Sequence, residues 1–127
     1  MKRILFLILA LVMIFSGCST AEKEVSYTQI TQDEAKERMD EEGVVILDVR
    51  EQDEYDAGHI KGAVLLPVGE IEEESAKEVI GDKDKVVLVY CRTGNRSKTA
   101  SQALVDLGYT AVFEFGGIST WEYDIEM

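Results

Sequence analysis

The chain has 127 residues, with 25 acidic against 13 basic side chains and a formal net charge of -12. That length suits one ordinary domain, and the charge disfavours a nucleic-acid binder, because phosphate recognition needs Lys and Arg clustered across a face. An apolar fraction of 46% with one Pro indicates a packed core, while two Cys and one His fall short of a four-ligand zinc site. No CxxC pair is present, and neither a metal nor a cofactor is expected.

Met1-Lys2-Arg3 opens the chain and is followed by twelve unbroken apolar residues, Ile4 to Phe15. A bilayer-spanning helix needs roughly twenty, so this run has the length of a secretory signal's apolar region. The residues that follow, Phe15-Ser16-Gly17-Cys18, resemble a bacterial lipoprotein signal, although Phe15 stands where that family usually carries Leu. The resemblance implies cleavage before Cys18 and a diacylglyceride on its sulfur. Residues 1–17 are then a signal peptide, 18–26 a lipidated tether, and 27–127 the domain. Such a protein sits in the cell envelope, outside the cytoplasm and anchored to a membrane. The mature chain is too acidic to adhere to anionic lipid by charge, so the acyl group has to hold it there. With Cys18 lipidated, Cys91 has no disulfide partner in a compartment that permits disulfides. A lone thiol of that kind is either inert in a core or kept for chemistry.

Along the domain, Tyr27 to Ile30 reads as a short strand. Thr31 with Glu34 three residues later forms a capping-box pattern for a helix running to about Glu42, where Gly43 stops it. Val44 to Val49 is almost wholly apolar, as in a strand buried on both faces. Glu51 to Ala57 suits a short helix ended by Gly58, Ala63 to Leu66 a strand before Pro67, and Ile71 to Ile80 an acidic helix. Lys85 to Tyr90 is another buried strand. Ser97 to Leu107 is a helix with Ala100, Ala103, Leu104 and Leu107 inward, and Ala111 to Phe115 a last strand before Gly116-Gly117 and a turn or short helix around Trp121. Strands alternating with helices at this spacing predict an α/β fold, a mostly parallel five-stranded sheet with helices on both faces. Ligands of such sheets sit beyond the carboxyl ends of the strands, and Cys91 lies at one of those ends.

The segment Tyr90-Cys91-Arg92-Thr93-Gly94-Asn95-Arg96-Ser97 delivers a cysteine from a buried strand into a turn before a helix. N–H groups of the turn and helix start lack carbonyl partners and can face inward as an anion nest. That field favours the thiolate, the nucleophilic form. Arg92 and Arg96 add positive charge, and Gly94 permits backbone angles that a tight cradle needs.

This loop resembles the active loop of the rhodanese family, in particular its small single-domain sulfurtransferases. Leu47-Asp48-Val49-Arg50-Glu51, Glu54-Tyr55, Gly58-His59-Ile60-Lys61-Gly62-Ala63 and Leu66-Pro67 resemble one family signature, and Gly116-Gly117-Ile118 with Trp121 another. The resemblance implies a three-layer rhodanese-like fold. It also implies that the Cys91 thiolate takes the outer sulfur of a small anionic donor such as thiosulfate, as a persulfide, and passes it to a thiol or to cyanide. Arg92, Thr93, Gly94, Asn95 and Arg96 then form the substrate cradle. Asp48 and Arg50 are expected to support the site, more by fixing geometry than by bond chemistry. His59 belongs to a structural turn, Trp121 to a lid over the core, and Glu70 with Glu72-Glu73-Glu74 to a solvated helix face. A monomer is the expected state. Two alternatives stay open: a persulfide carrier serving one protein partner, and a related phosphatase or arsenate reductase. The latter class has one more residue between Cys and Arg and usually a His where Tyr90 stands.

Replacing Cys18 with Ala should abolish acylation and block lipoprotein-type maturation. Mass spectrometry of the mature N-terminus checks this. The same unmodified N-terminus in both proteins would overturn the lipoprotein assignment.

Overall fold

The computed structural model describes residues 26–127. The expected signal peptide, Cys18 and all of the expected tether but Ser26 lie outside the described residues. The chain runs through β1 (Thr28–Gln29), α1 (Gln32–Arg38), β2 (Val45–Asp48), α2 (Gln52–Ala57), β3 (His59–Ile60), β4 (Val64–Leu65) and α3 (Glu73–Val79). It continues through β5 (Val86–Cys91), α4 (Asn95–Asp106), β6 (Ala111–Gly117) and β7 (Ile125–Glu126), with 3-10 turns at Val68–Glu70 and Ile118–Thr120. Five strands form one sheet in the order β1-β6-β5-β2-β4, and every pair in it is parallel. Crossover helices make this possible, since parallel neighbours need a long connection between them.

Period-two alternation divides the core. On β5, Val87, Val89 and Cys91 point to one face, where Ala76 and Ile80 of the α3 region and Ala100 and Leu104 of α4 cover them. Leu88 and Tyr90 point to the other face, toward Ala35 of α1, Ile60 and Phe115. Helices therefore cover both faces, as the alternation of elements predicts.

Three helix boundaries move by two residues or more from the sequence reading, and β6 runs on to Gly117. The first helix ends at Arg38 rather than near Glu42. Asp40-Glu41-Glu42 would add negative charge at a helix C-terminus, where the macrodipole opposes it, and Gly43 turns the chain at φ +80°. Of the expected capping box the Thr31 half forms, with the Glu34 N–H donating to Thr31 Oγ1 at 3.1 Å. The α3 helix starts at Glu73 because Ile71 stays extended against the core and the Glu72 N–H donates to Ser75 Oγ at 2.8 Å. Two residues earlier than expected, α4 begins at Asn95. A small antiparallel ribbon of β3 with β7 was not legible, since each strand is two residues long.

Asp48 and Tyr90 are register partners on β2 and β5. The fully buried Asp48 accepts from Tyr90 Oη at 2.6 Å and from Arg50 Nη2 at 2.7 Å, and Arg50 Nη2 also donates to the Gly58 carbonyl at 2.7 Å. Tyr90 Oη in turn accepts from the Ile60 N–H at 3.0 Å. Burial and the neighbouring Asp48 carboxylate both push the Tyr90 phenol above its ordinary range. The cluster ties two inner strands of the sheet to β3 of the separate ribbon, so its loss loosens one from the other. Asp48→Asn leaves Arg50 buried beside a neutral group and should lower the unfolding free energy by about 2–3 kcal/mol. Urea denaturation measures this; unchanged stability together with lost activity would reassign Asp48 to the chemistry itself.

Candidate active site

Cys91 ends β5 with 1% exposure and, among the described residues, no disulfide. Its Sγ accepts from the Gly94 N–H at 3.1 Å, and the N–H groups of Thr93 and Ser97 also face it. Ser97 is the third residue of α4, so its N–H is one of the donors that a helix start leaves unpaired. The early start of α4 thus brings a helical N–H onto the sulfur. Burial pushes the thiol up, but the Ser97 hydroxyl and the N–H groups of Ser97, Gly94 and Thr93 outweigh it and draw the Cys91 pKa below its ordinary value. This is an anion nest at the carboxyl end of a central strand, built for a negative sulfur.

Close backbone packing holds the loop in shape. Gly94 sits at φ +101°, which a side chain rarely adopts, and turns the chain into α4. A Cβ on Gly117 would meet the Arg92 carbonyl oxygen at 2.1 Å, so β6 and the loop touch only because that position lacks one. The same carbonyl accepts from the Ser119 N–H at 3.1 Å.

The predicted cradle residues fall into distinct places. Thr93 and Gly94 face the sulfur with their N–H groups, whereas the side chain of Asn95 is exposed. The Arg96 guanidinium makes a bidentate pair with Glu54, at 2.6 and 2.9 Å. Arg92 is exposed and lines an open cleft of about 410 Å³ with Arg50, Glu54, Ile118, Ser119 and Ile125. Of Arg50, Arg92 and Arg96, Arg50 is paired with Asp48 and Arg96 with Glu54. Among the described residues, Arg92 alone of the three has no carboxylate partner. Asp48 lies on the sheet face opposite Cys91, with Tyr90, which gives it no path to the sulfur except through the framework. Arg50 reaches the cleft wall from that framework.

His59 makes its contacts elsewhere. Its Nδ1 lies 2.9 Å from the Tyr55 carbonyl, its ring stacks on Tyr55 at 3.8 Å, and its Nε2 lies 3.5 Å from Glu126. Trp121 packs against Phe115 with ring centroids 5.6 Å apart, on the face opposite Cys91. Sequence reasoning missed three residues of the site: Glu54, Ser97 as a hydroxyl, and Glu114. Ser97 Oγ lies 3.4 Å from Sγ and donates to Glu114 Oε1 at 2.7 Å. The signal for Glu114 was present, as a single carboxylate interrupting the apolar run Val112 to Phe115.

The chain matches the rhodanese-like domain family over residues 31–124. It is 41% identical over 97 residues to "Thiosulfate sulfurtransferase GlpE" of Coxiella burnetii, covering 76% of this chain and 88% of that protein. It is 39% identical over 72 residues to "Thiosulfate sulfurtransferase PspE" of Escherichia coli, covering 57% of this chain and 68% of that one. The solution structure of a rhodanese-like domain from Anabaena aligns with a TM-score of 0.70 at 28% identity, covering 77% of each chain.

The Glu54–Arg96 pair generates a pH dependence. Hydrogen bonds from Arg96 hold the Glu54 carboxyl at about 2, against an ordinary 4.5. A carboxyl depressed by folding stabilises the protein fully above its unfolded value and loses that contribution as the pH falls through the folded one. Stability should therefore fall between about 4.5 and 2, and Glu54→Gln should flatten that part of the curve. Urea midpoints measured at intervals across this range check it; parallel curves would remove the pair from the stability of the loop.

With the parallel sheet, the nested cysteine and the two signatures in one register, these similarities identify the chain as a member of the rhodanese-like domain family and a homologue of thiosulfate sulfurtransferases.

Proposed function

We propose that this chain is a lipid-anchored sulfurtransferase of the cell envelope, in which Cys91 carries sulfur as a persulfide between a small anionic donor and a thiol. The observation that carries the reading is the nest at Cys91, with an N–H at 3.1 Å from Sγ and the thiol drawn below its ordinary pKa. The naming of the GlpE and PspE relatives as thiosulfate sulfurtransferases supports thiosulfate as the donor.

In the reaction, the Cys91 thiolate attacks the outer sulfur of thiosulfate. The bond between the two donor sulfurs breaks, and its electron pair leaves with sulfite. The product persulfide is itself anionic, so the donors that hold the thiolate also hold the intermediate. Arg92 stands at the mouth without a carboxylate partner and suits the sulfonate end, while the backbone from Thr93 to Arg96 shapes the cup. An acceptor thiolate, or cyanide, then removes the outer sulfur and restores the Cys91 thiolate. Glu54 occupies the Arg96 guanidinium, the group that a phosphatase presents free to its oxyanion. Six residues from Cys91 to Arg96 also make the smaller loop. Both features support sulfur over phosphorus. The anchor rests on the basic start, the short apolar run and Ser16-Gly17-Cys18.

Exposure to thiosulfate should add about 32 Da, one sulfur atom, to the intact protein. Cys91→Ser should show neither the adduct nor thiocyanate formation from cyanide. Retained turnover in that variant, or faster hydrolysis of an aryl phosphate than transfer from any sulfur donor, would overturn the reading. Persulfide transfer to a protein thiol that outpaces thiosulfate turnover would favour the carrier form of the same chemistry.

A further inference from the structure

Glu114 lies on β6 with 3% exposure, and among the described residues no cation pairs with it. Its Oε1 accepts from Ser97 Oγ at 2.7 Å and from the Gly116 N–H at 2.8 Å, and its Oε2 accepts from Gln29 Nε2 at 3.2 Å. A buried carboxylate held only by neutral donors is costly unless it has a use. Ser97 Oγ also stands 3.4 Å from Cys91 Sγ, where the thiol donates to it. A hydroxyl has one proton, which Ser97 gives at 2.7 Å to Glu114 rather than to the Gly116 carbonyl at 3.4 Å; it cannot serve Glu114 and a thiolate at once, and those two states differ by a concerted shift along the chain.

We propose that Glu114 is the internal acceptor of the Cys91 thiol proton, reached through the Ser97 hydroxyl. The Sγ–H bond breaks and its proton passes to Ser97 Oγ, while the original Ser97 proton passes to Glu114 Oε1. One proton moves from sulfur to carboxylate in total, no electrons are exchanged, and charge is conserved. The thiolate that results accepts from Ser97 Oγ and from the Gly94 N–H, and the neutral Glu114 donates to Ser97. The single histidine is held by Tyr55 and Glu126, which leaves this carboxylate in the place a base would take. Other charges around the pair are accounted for. Arg96 of α4 is bound to Glu54 of α2, Arg92 stands at the cleft mouth, and Lys98 of α4 lines the surface cleft beside Glu114 with Gln29 and Gln32. Ser97 is a contact residue of the reacting sulfur, and Glu114 acts through it as a positioning residue that holds the proton.

This inference rests on Cys91 being the nucleophile, and its test uses no sulfur donor. The rate of Cys91 alkylation by iodoacetamide, which follows the thiolate fraction, is measured against pH in the full chain. Because the wild-type proton is exchanged internally, the rate should stay level to a lower pH than in Glu114→Gln or Ser97→Ala. In those variants the proton goes to solvent, and the rate should fall about tenfold per pH unit below a midpoint at least about one unit higher. A carboxylate that were only a fixed anion would act in the opposite direction, since removing negative charge beside a thiol favours its thiolate. A Glu114→Gln profile that coincides with the wild type, or stays level to a lower pH, overturns the relay. If Glu114→Gln does not fold, Glu114→Asp decides by the same criterion, because it keeps the negative charge but shortens the side chain away from Ser97 Oγ, whereas Ser97→Ala also removes a hydroxyl that holds the thiolate. Failure of wild-type protein to form the persulfide would overturn the proposed function and leave the alkylation result to report on the relay.

Discussion

A negative sulfur shielded from water needs donors that nothing else is using, and this requirement shapes the carboxyl end of the sheet. Cys91 obtains those donors because α4 begins only three loop residues after Cys91 ends β5, with its first N–H groups unpaired. The turn is short, so Gly94 must take a positive φ, and the loop is pressed against β6 so closely that Gly117 has no room for a side chain. Remove either glycine's freedom and the N–H groups no longer converge. The nest is therefore a property of how strand, loop and helix fit together, more than of any single side chain.

The pleat of the sheet assigns the charged groups to different tasks. Tyr90 and Cys91 are neighbours in the chain, yet they project to opposite faces. Tyr90 joins Asp48 and Arg50 in a closed hydrogen-bonded cluster that fixes β2, β5 and β3, while Cys91 faces α4 with Ser97 and Glu114 behind it. Two arginines that look catalytic by position are spent on carboxylates, Arg50 on Asp48 and Arg96 on Glu54. In a chain of net charge -12, that leaves Arg92 as the cation at the cleft and makes the backbone the main source of positive potential around the sulfur.

Local pattern was sufficient for much of this protein. Apolar runs such as Val86 to Val89, the glycine stop at Gly58 and the Thr31 cap each act over a few residues, so the alternation of strands and helices, the parallel sheet and the position of Cys91 at a strand end were all determined by the sequence alone. What only the tertiary structure decided were contacts between segments far apart in the chain. The β3–β7 ribbon joins strands too short to carry a periodic signal. Glu54 meets Arg96, and Glu114 meets Ser97, across separations that no spacing rule encodes. A charged residue in an apolar strand announces that it needs a partner, but the partner's identity depends on the register of β5 with β6 and on where α4 begins. Those are set by packing of the whole core, because a shift of one residue would turn Cys91 and Glu114 to the wrong faces.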